Sequence, residues 1–169
     1  MYCIFFTIAL LCFLFHTTVH VLEHFKKLSE HEAVHATIGI SMLLGWFSYF
    51  YISFSEFPAV PHAINHSGLV ILIIGIYLFI ISHAKIHKRM HSRKGELVTD
   101  GIYKHIRHPM YLGEILMLLG APISGSSLLT LALSPLFIIQ ILVWRYFEEQ
   151  ELMKEFPKEY GGYRKRTWF

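Results

Sequence analysis

Apolar stretches of bilayer length recur along this chain, and they restrict its fold more than any other feature. A hydrocarbon core of about 30 Å is crossed by roughly 20 helical residues. Residues 2–22 meet that length, residues 33–54 follow, and residues 66–82, extendable to 85, make a third, shorter run. Residues 111–147 are too long for one helix. They contain GAPISGSS at 120–127, a breaker cluster that predicts a short helix followed by a full one. The first run lacks a basic leader and a clear small-residue cleavage site, so a retained helix is expected rather than a signal peptide. Of the 169 residues only 16% are charged, against about 25% in a typical soluble domain. These features predict an all-α integral membrane protein with about five transmembrane helices, forming one compact bundle. Both cysteines, Cys3 and Cys12, sit in the first run, which excludes a disulfide framework and a cysteine metal site.

The basic residues set an orientation. Lys85, Lys88, Arg89, Arg93, Lys94, Lys104 and Arg107 lie between the third and fourth runs, and Lys154, Lys158, Arg164, Lys165 and Arg166 follow the last. The stretch 55–65 has no Lys or Arg, whereas Lys26 and Lys27 lie in the first connection. Basic loops are retained in the cytoplasm. The 85–108 loop, the tail and the first connection are therefore expected there, with the N-terminus outside. Anionic lipid headgroups are the nearer partner for this basic face, and a nucleic-acid partner is not expected.

Costly polar groups gather at this membrane threshold. In IRHPMYLGE (106–114) an arginine, a histidine and a proline precede an apolar helix, and Glu114 lies inside it. Pro109 suits a helix's first turn, Gly101 permits a turn, and a helix starting near Pro109 offers free N–H groups and a positive dipole end to an anion. Taken alone, Arg107 and His108 read equally well as interfacial anchors. In the tail, Arg145 and Glu149 stand four apart and share a helix face. They are open to two readings, an ion pair at the membrane surface or a pair turned towards a cavity.

Taken together, LVTDGIYKHIRHPMYLGE and WRYFEEQELMKEFPKEYGGYRKR resemble the catalytic core of the isoprenylcysteine carboxyl methyltransferases and their bacterial and archaeal relatives. The family pattern runs LVT-x-G-x-Y, RHPxYxG, a helical hairpin, R-x-x-x-E and F-G-x-x-Y-x-x-Y, and the likeness spans residues 95–166. It implies three N-terminal transmembrane helices in 1–84, then a catalytic core in 85–169 built of a cytoplasmic cofactor-binding loop, a helical hairpin and a C-terminal helix. It implies that S-adenosylmethionine is held by Gly95, Glu96, Leu97 and Val98, by Tyr103, by His108, Pro109, Met110 and Tyr111, and by Glu149. It implies that Arg145 faces the methyl acceptor, as the catalytic residue, and Glu114 is expected to help line the pocket. The chain differs from the family in a short 84–94 segment, in Pro157 where glycine is usual, and in stopping at Phe169.

The implied activity is methylation of a lipophilic carboxylate or thiol acceptor. A carboxylate is already ionised at neutral pH and needs no general base. A phospholipid amine is the alternative acceptor. Its ammonium form would be repelled by Arg145, by on the order of 4 kcal/mol at about 4 Å and an effective dielectric near 20. The twelve histidines raise a different class. His16, His20 and His24, His83, His87 and His91, and His31 and His35 recur at four-residue spacing, which suits a metal or haem redox site. The same spacing also describes helix ends at an interface, and no metal site is expected. Trp46, Tyr49, Tyr51, Trp144 and Tyr146 are expected in aromatic belts.

Overall fold

A computed structural model describes residues 1–25, 32–55, 62–92 and 96–169. Among them lie six α-helices: α1 (Tyr2–His24), α2 (Glu32–Ser55), α3 (His62–Ser92), α4 (Pro109–Ser124), α5 (Leu128–Glu155) and α6 (Glu159–Arg166), with a 3-10 turn at Gly101–Lys104. Four helices are long and apolar enough to cross a membrane: Tyr2–His24, Ala36–Ser55, Ala63–Lys88 and Leu128–Glu155. α4 is apolar but only 16 residues, about 24 Å at 1.5 Å per residue. The expected hairpin of a short and a full helix is present. It breaks at Gly125–Ser127, where Ser126 adopts φ 59° and the Ser127 side chain accepts from Thr130 N to cap α5. Gly120, expected in the break, is instead inside α4.

α3 departs most from the sequence-based expectation, continuing to Ser92 rather than ending near 82–85. Hydropathy marks where a chain leaves lipid, not where a helix stops, and neither Gly nor Pro interrupts α3 after Gly75. Its polar end works as a post for the loop, with Lys85 Nζ 2.6 Å from Asp100 Oδ2. α5, 28 residues long, likewise exceeds a bilayer's width. Residues 128–147 suffice to span it, leaving Glu148 and Glu149 outside.

α3 and α4 form the most extensive helix pair. Gly68 and Gly75 face Gly120 and Gly113, each pair spaced by one heptad, so backbone meets backbone. A Cβ on Gly75 would lie 2.7 Å from the Gly113 carbonyl oxygen, and one on Gly113 would lie 2.7 Å from that of Gly75. Lipid is as apolar as leucine, so helices here gain by close packing and not by escaping water.

The core sits where α1, α2, α4 and α5 converge, around Phe13, Tyr49, Leu118, Phe137 and Trp144. Two of the aromatics expected in belts are thus corrected: Tyr49 and Trp144 are buried. Each can be buried because its polar atom is satisfied. Tyr49 donates to the Leu118 carbonyl at 2.7 Å and Trp144 Nε1 donates to Thr17 Oγ1 at 2.7 Å. Tyr146 is more than half exposed. α1 contributes Ala9 and Phe13 to this core.

Candidate functional site

Pro109 occupies the first turn of α4, where its missing N–H costs nothing, and His108 is the N-cap. Gly101 takes φ 63°, the left-handed conformation expected there. Tyr103, on the 3-10 turn, is buried, and its carbonyl accepts from the Tyr163 hydroxyl at 2.6 Å, tying loop to α6. The last residues run beside the loop as an isolated parallel bridge between Ile106 and Trp168. Trp168 N donates to the His105 carbonyl at 2.9 Å, Arg107 N to the Trp168 carbonyl at 3.0 Å, and His108 N to the Phe169 carbonyl at 3.2 Å.

Glu149 is the hub. Its Oε1 lies 3.3 Å from Arg107 Nε, 3.2 Å from His108 Nε2 and 3.4 Å from Arg145 Nη2, and its Oε2 lies 3.8 Å from Arg164 Nε. An ionised carboxylate cannot donate, so His108 Nε2 carries the proton in that contact. The His108 hydrogen bond, with the charges of His108, Arg145 and Arg107, holds the Glu149 carboxyl down at about 2. His108 Nδ1 lies 3.7 Å from Glu148 Oε2, so the two carboxylates flank one imidazole. Arg107 Nη1 also donates to the Thr167 carbonyl at 2.6 Å, and the Arg145 guanidinium lies 4.4 Å above the centre of the Phe169 ring.

Beside this network lies a cavity of about 170 Å³. Glu96, Leu97, Val98 and Tyr103 from the loop line it, with Ile86, Arg107, Glu148, Leu152, Phe156, Tyr160 and Tyr163. Burial raises the hydroxyls of Tyr160 and Tyr163 to about 12 and pushes Tyr103 up as well, so all three are neutral donors in ordinary buffers.

The structure thus brings together most of the residues expected to form the site. Glu96, Leu97, Val98 and Tyr103 line the cavity, while His108, Arg145 and Glu149 form the adjoining network through Arg107 and Glu148. Pro109 and Tyr111 are buried on α4, and Met110 packs against the core. Gly95 lies outside the described residues. Phe156, Tyr160 and Tyr163 were missed, although their spacing of four and three places them on one face of the tail. Ile86 carried no signal, because α3 reaches the cavity only through its unexpected length.

The histidine ladders go elsewhere. His16 and His20 meet at 3.1 Å and pack against Trp144. His31 lies outside the described residues, as do the side chains of His35 and His91. Among the described residues no group of three or more His, Cys, Asp or Glu side chains is placed to hold a metal.

Comparison with known proteins bears on this geometry. The protein-S-isoprenylcysteine O-methyltransferase of Schizosaccharomyces pombe is 35% identical over 93 residues, 51% of this chain and 36% of the relative. The chain therefore spans little more than a third of that relative's length. No solved structure matches. The family model for phospholipid methyltransferases matches residues 64–159, from α3 through the site to the start of α6. That match covers more than half of the sequence, and with its apolar helices the chain belongs to the phospholipid methyltransferase family as an integral membrane protein.

Proposed function

We propose that this protein is an S-adenosylmethionine-dependent methyltransferase that methylates a lipophilic carboxylate or thiol reaching it from the bilayer. The catalytic part is residues 85–169, and the site faces the cytoplasm, as the basic loops argue. The observation that carries the reading is the placement of Arg145. It stands one helical turn nearer the membrane than Glu149, at the edge of a polar network whose other side opens on a cavity of mixed character.

The cavity wall fits the donor. It joins carboxylates (Glu96, Glu148), a guanidinium (Arg107) and aromatic rings (Tyr103, Phe156, Tyr160, Tyr163). A zwitterionic nucleoside that also carries a sulfonium needs partners of both signs and apolar faces for its rings. When bound, S-adenosylmethionine supplies an electrophilic methyl group. The chain's own residues supply position, the main component of catalysis for an in-line displacement. Arg107 and His108 are held by Glu149, and Tyr163 locks loop to tail. Arg145 presents a cation to an acceptor carboxylate, whose apolar part stays in lipid.

The relative's name points to an isoprenylated cysteine carboxylate as one acceptor of this class. A phospholipid amine is the second reading, favoured by the name of the family. Glu149 compensates part of the Arg145 charge, but it is shared with Arg107 and His108, so the network keeps excess positive charge that disfavours an ammonium. Calorimetry on purified protein tests donor binding: His108→Ala and Glu149→Ala are expected to weaken it, and undiminished binding in both removes this site. A screen of lipophilic acids, thiols and phosphatidylethanolamine with labelled donor then identifies the acceptor class. Transfer confined to water-soluble polar acceptors would overturn the lipophilic reading.

A further inference from the structure

The ring of Phe169 lies on the acceptor side of the site, where the reading above gives it no part. The Arg145 guanidinium sits over one face of it, 4.4 Å from the ring centre, while Nη2 of the same guanidinium lies 3.4 Å from Glu149 Oε1. The backbone puts the ring there. Arg107 N donates to the Trp168 carbonyl at 3.0 Å and His108 N to the Phe169 carbonyl at 3.2 Å, and neither bond involves the Phe169 side chain. The ring is half-buried and packs against the core cluster that includes Trp144, the neighbour of Arg145 in sequence, whereas Trp168 is 63% exposed. Pairing of the tail with His108 on the donor side therefore places an aromatic face against the cation on the acceptor side.

We propose that Phe169 is a positioning residue for the acceptor: its ring holds the Arg145 guanidinium in the orientation that receives the acceptor carboxylate, so that an ionised acid is bound in preference to its neutral ester. This rests on the methyltransferase reading with a carboxylate acceptor. Arg145 is 24% exposed, and a long side chain tethered only at Nη2 keeps rotamer freedom that a fixed fork must lose. A guanidinium carries five N–H donors in one plane. Contact with a ring face is electrostatic and consumes none of them. Glu149 therefore fixes one edge and Phe169 covers the face, leaving donors for a carboxylate arriving from the lipid side.

Dissociation constants of N-acetyl-S-farnesylcysteine and of its methyl ester, measured on the full chain in detergent at neutral pH, test this without turnover. The variants are Phe169→Leu, which keeps apolar bulk but lacks an aromatic face, and Phe169→Tyr, which keeps both. The wild type is expected to bind the acid tighter than the ester. Phe169→Leu is expected to weaken the acid about three- to tenfold, with the ester and S-adenosylmethionine within about twofold of wild type, and Phe169→Tyr is expected to restore the acid. Arg145→Met is expected to remove the acid's advantage and to make a further Phe169→Leu change silent. Acid binding unchanged in Phe169→Leu overturns the proposal, as does a loss shared by acid, ester and donor, a loss that Phe169→Tyr does not restore, or a further loss on top of Arg145→Met. A wild type that does not prefer the acid removes the carboxylate reading of the acceptor and the proposal with it, whereas a preference that survives Phe169→Leu removes the proposal alone.

Discussion

Replacing Glu149 with glutamine keeps the shape of the side chain and removes the one negative charge on which the network converges. Three guanidinium groups and the His108 imidazole lie within 4 Å of its carboxylate, but they are not equal. Arg164 and Arg145 are 51% and 24% exposed and keep much of their hydration, so their loss costs little. Arg107 and His108, 9% and 3% exposed, have no such recourse. Removing one partner of a buried pair costs about 3–5 kcal/mol. With two buried partners at hydrogen-bond distances of 3.2 and 3.3 Å, the loss is expected near the lower end, about 3 kcal/mol. For a chain of this length that corresponds to roughly 6–12 °C in midpoint. The assay is thermal unfolding in detergent at neutral pH for the wild type, Glu149→Gln, and Glu149→Gln combined with Arg107→Met. The double variant is expected to recover part of the loss, because it no longer buries an unpaired guanidinium. The sign of the pH dependence follows from the depressed carboxyl. Its folded value of about 2 lies below the ordinary 4.5, so the stabilisation is complete above 4.5 and is lost as pH falls towards 2. The difference between wild type and Glu149→Gln should therefore shrink across that window. A variant within about 1 kcal/mol of wild type at pH 7 would refute the reasoning, as would a difference indifferent to acid.

Gly113→Val is expected to destabilise the protein by at least 1–3 kcal/mol through backbone overlap with Gly75 and Phe79, whereas Gly161→Ala, with nothing within 4 Å of the new Cβ, is expected to be neutral or slightly stabilising; paired melts compare them. Arg145→Ala should abolish turnover on an acidic acceptor while leaving the dissociation constant of the donor within about threefold, and equal turnover of phosphatidylethanolamine by wild type and variant would favour the amine reading. Cysteines placed at Ser55 and Ser92 should label from opposite sides of intact cells, and labelling of both from outside would reverse the proposed orientation.

Much of the fold was legible because spanning a bilayer leaves few options: length, hydropathy and a breaker cluster located the apolar helices. What lay beyond the lipid was less legible. The ends of α3 and α5 are polar, yet they remain helical because nothing in their sequence stops them. In the site, Arg145 and Glu149 were paired by spacing, and Pro109 and Gly101 by the backbone each permits. The contact of Glu149 with Arg107 spans 42 positions, and that of Arg107 with the Thr167 carbonyl spans 60. No local pattern encodes such meetings. Tyr49 and Trp144 misled for a related reason: an aromatic with a polar tip suits a membrane surface equally well as a core that offers it an acceptor.

The glycine seam has a mechanical consequence. Where carbonyl oxygens and glycine α-carbons touch across α3 and α4, there are no side-chain rotamers to adjust, and sliding by less than a full heptad would drive backbone into side chains. A closely packed pair of helices thus underlies the site, with Ile86 of α3 lining the cavity and His108 capping the start of α4.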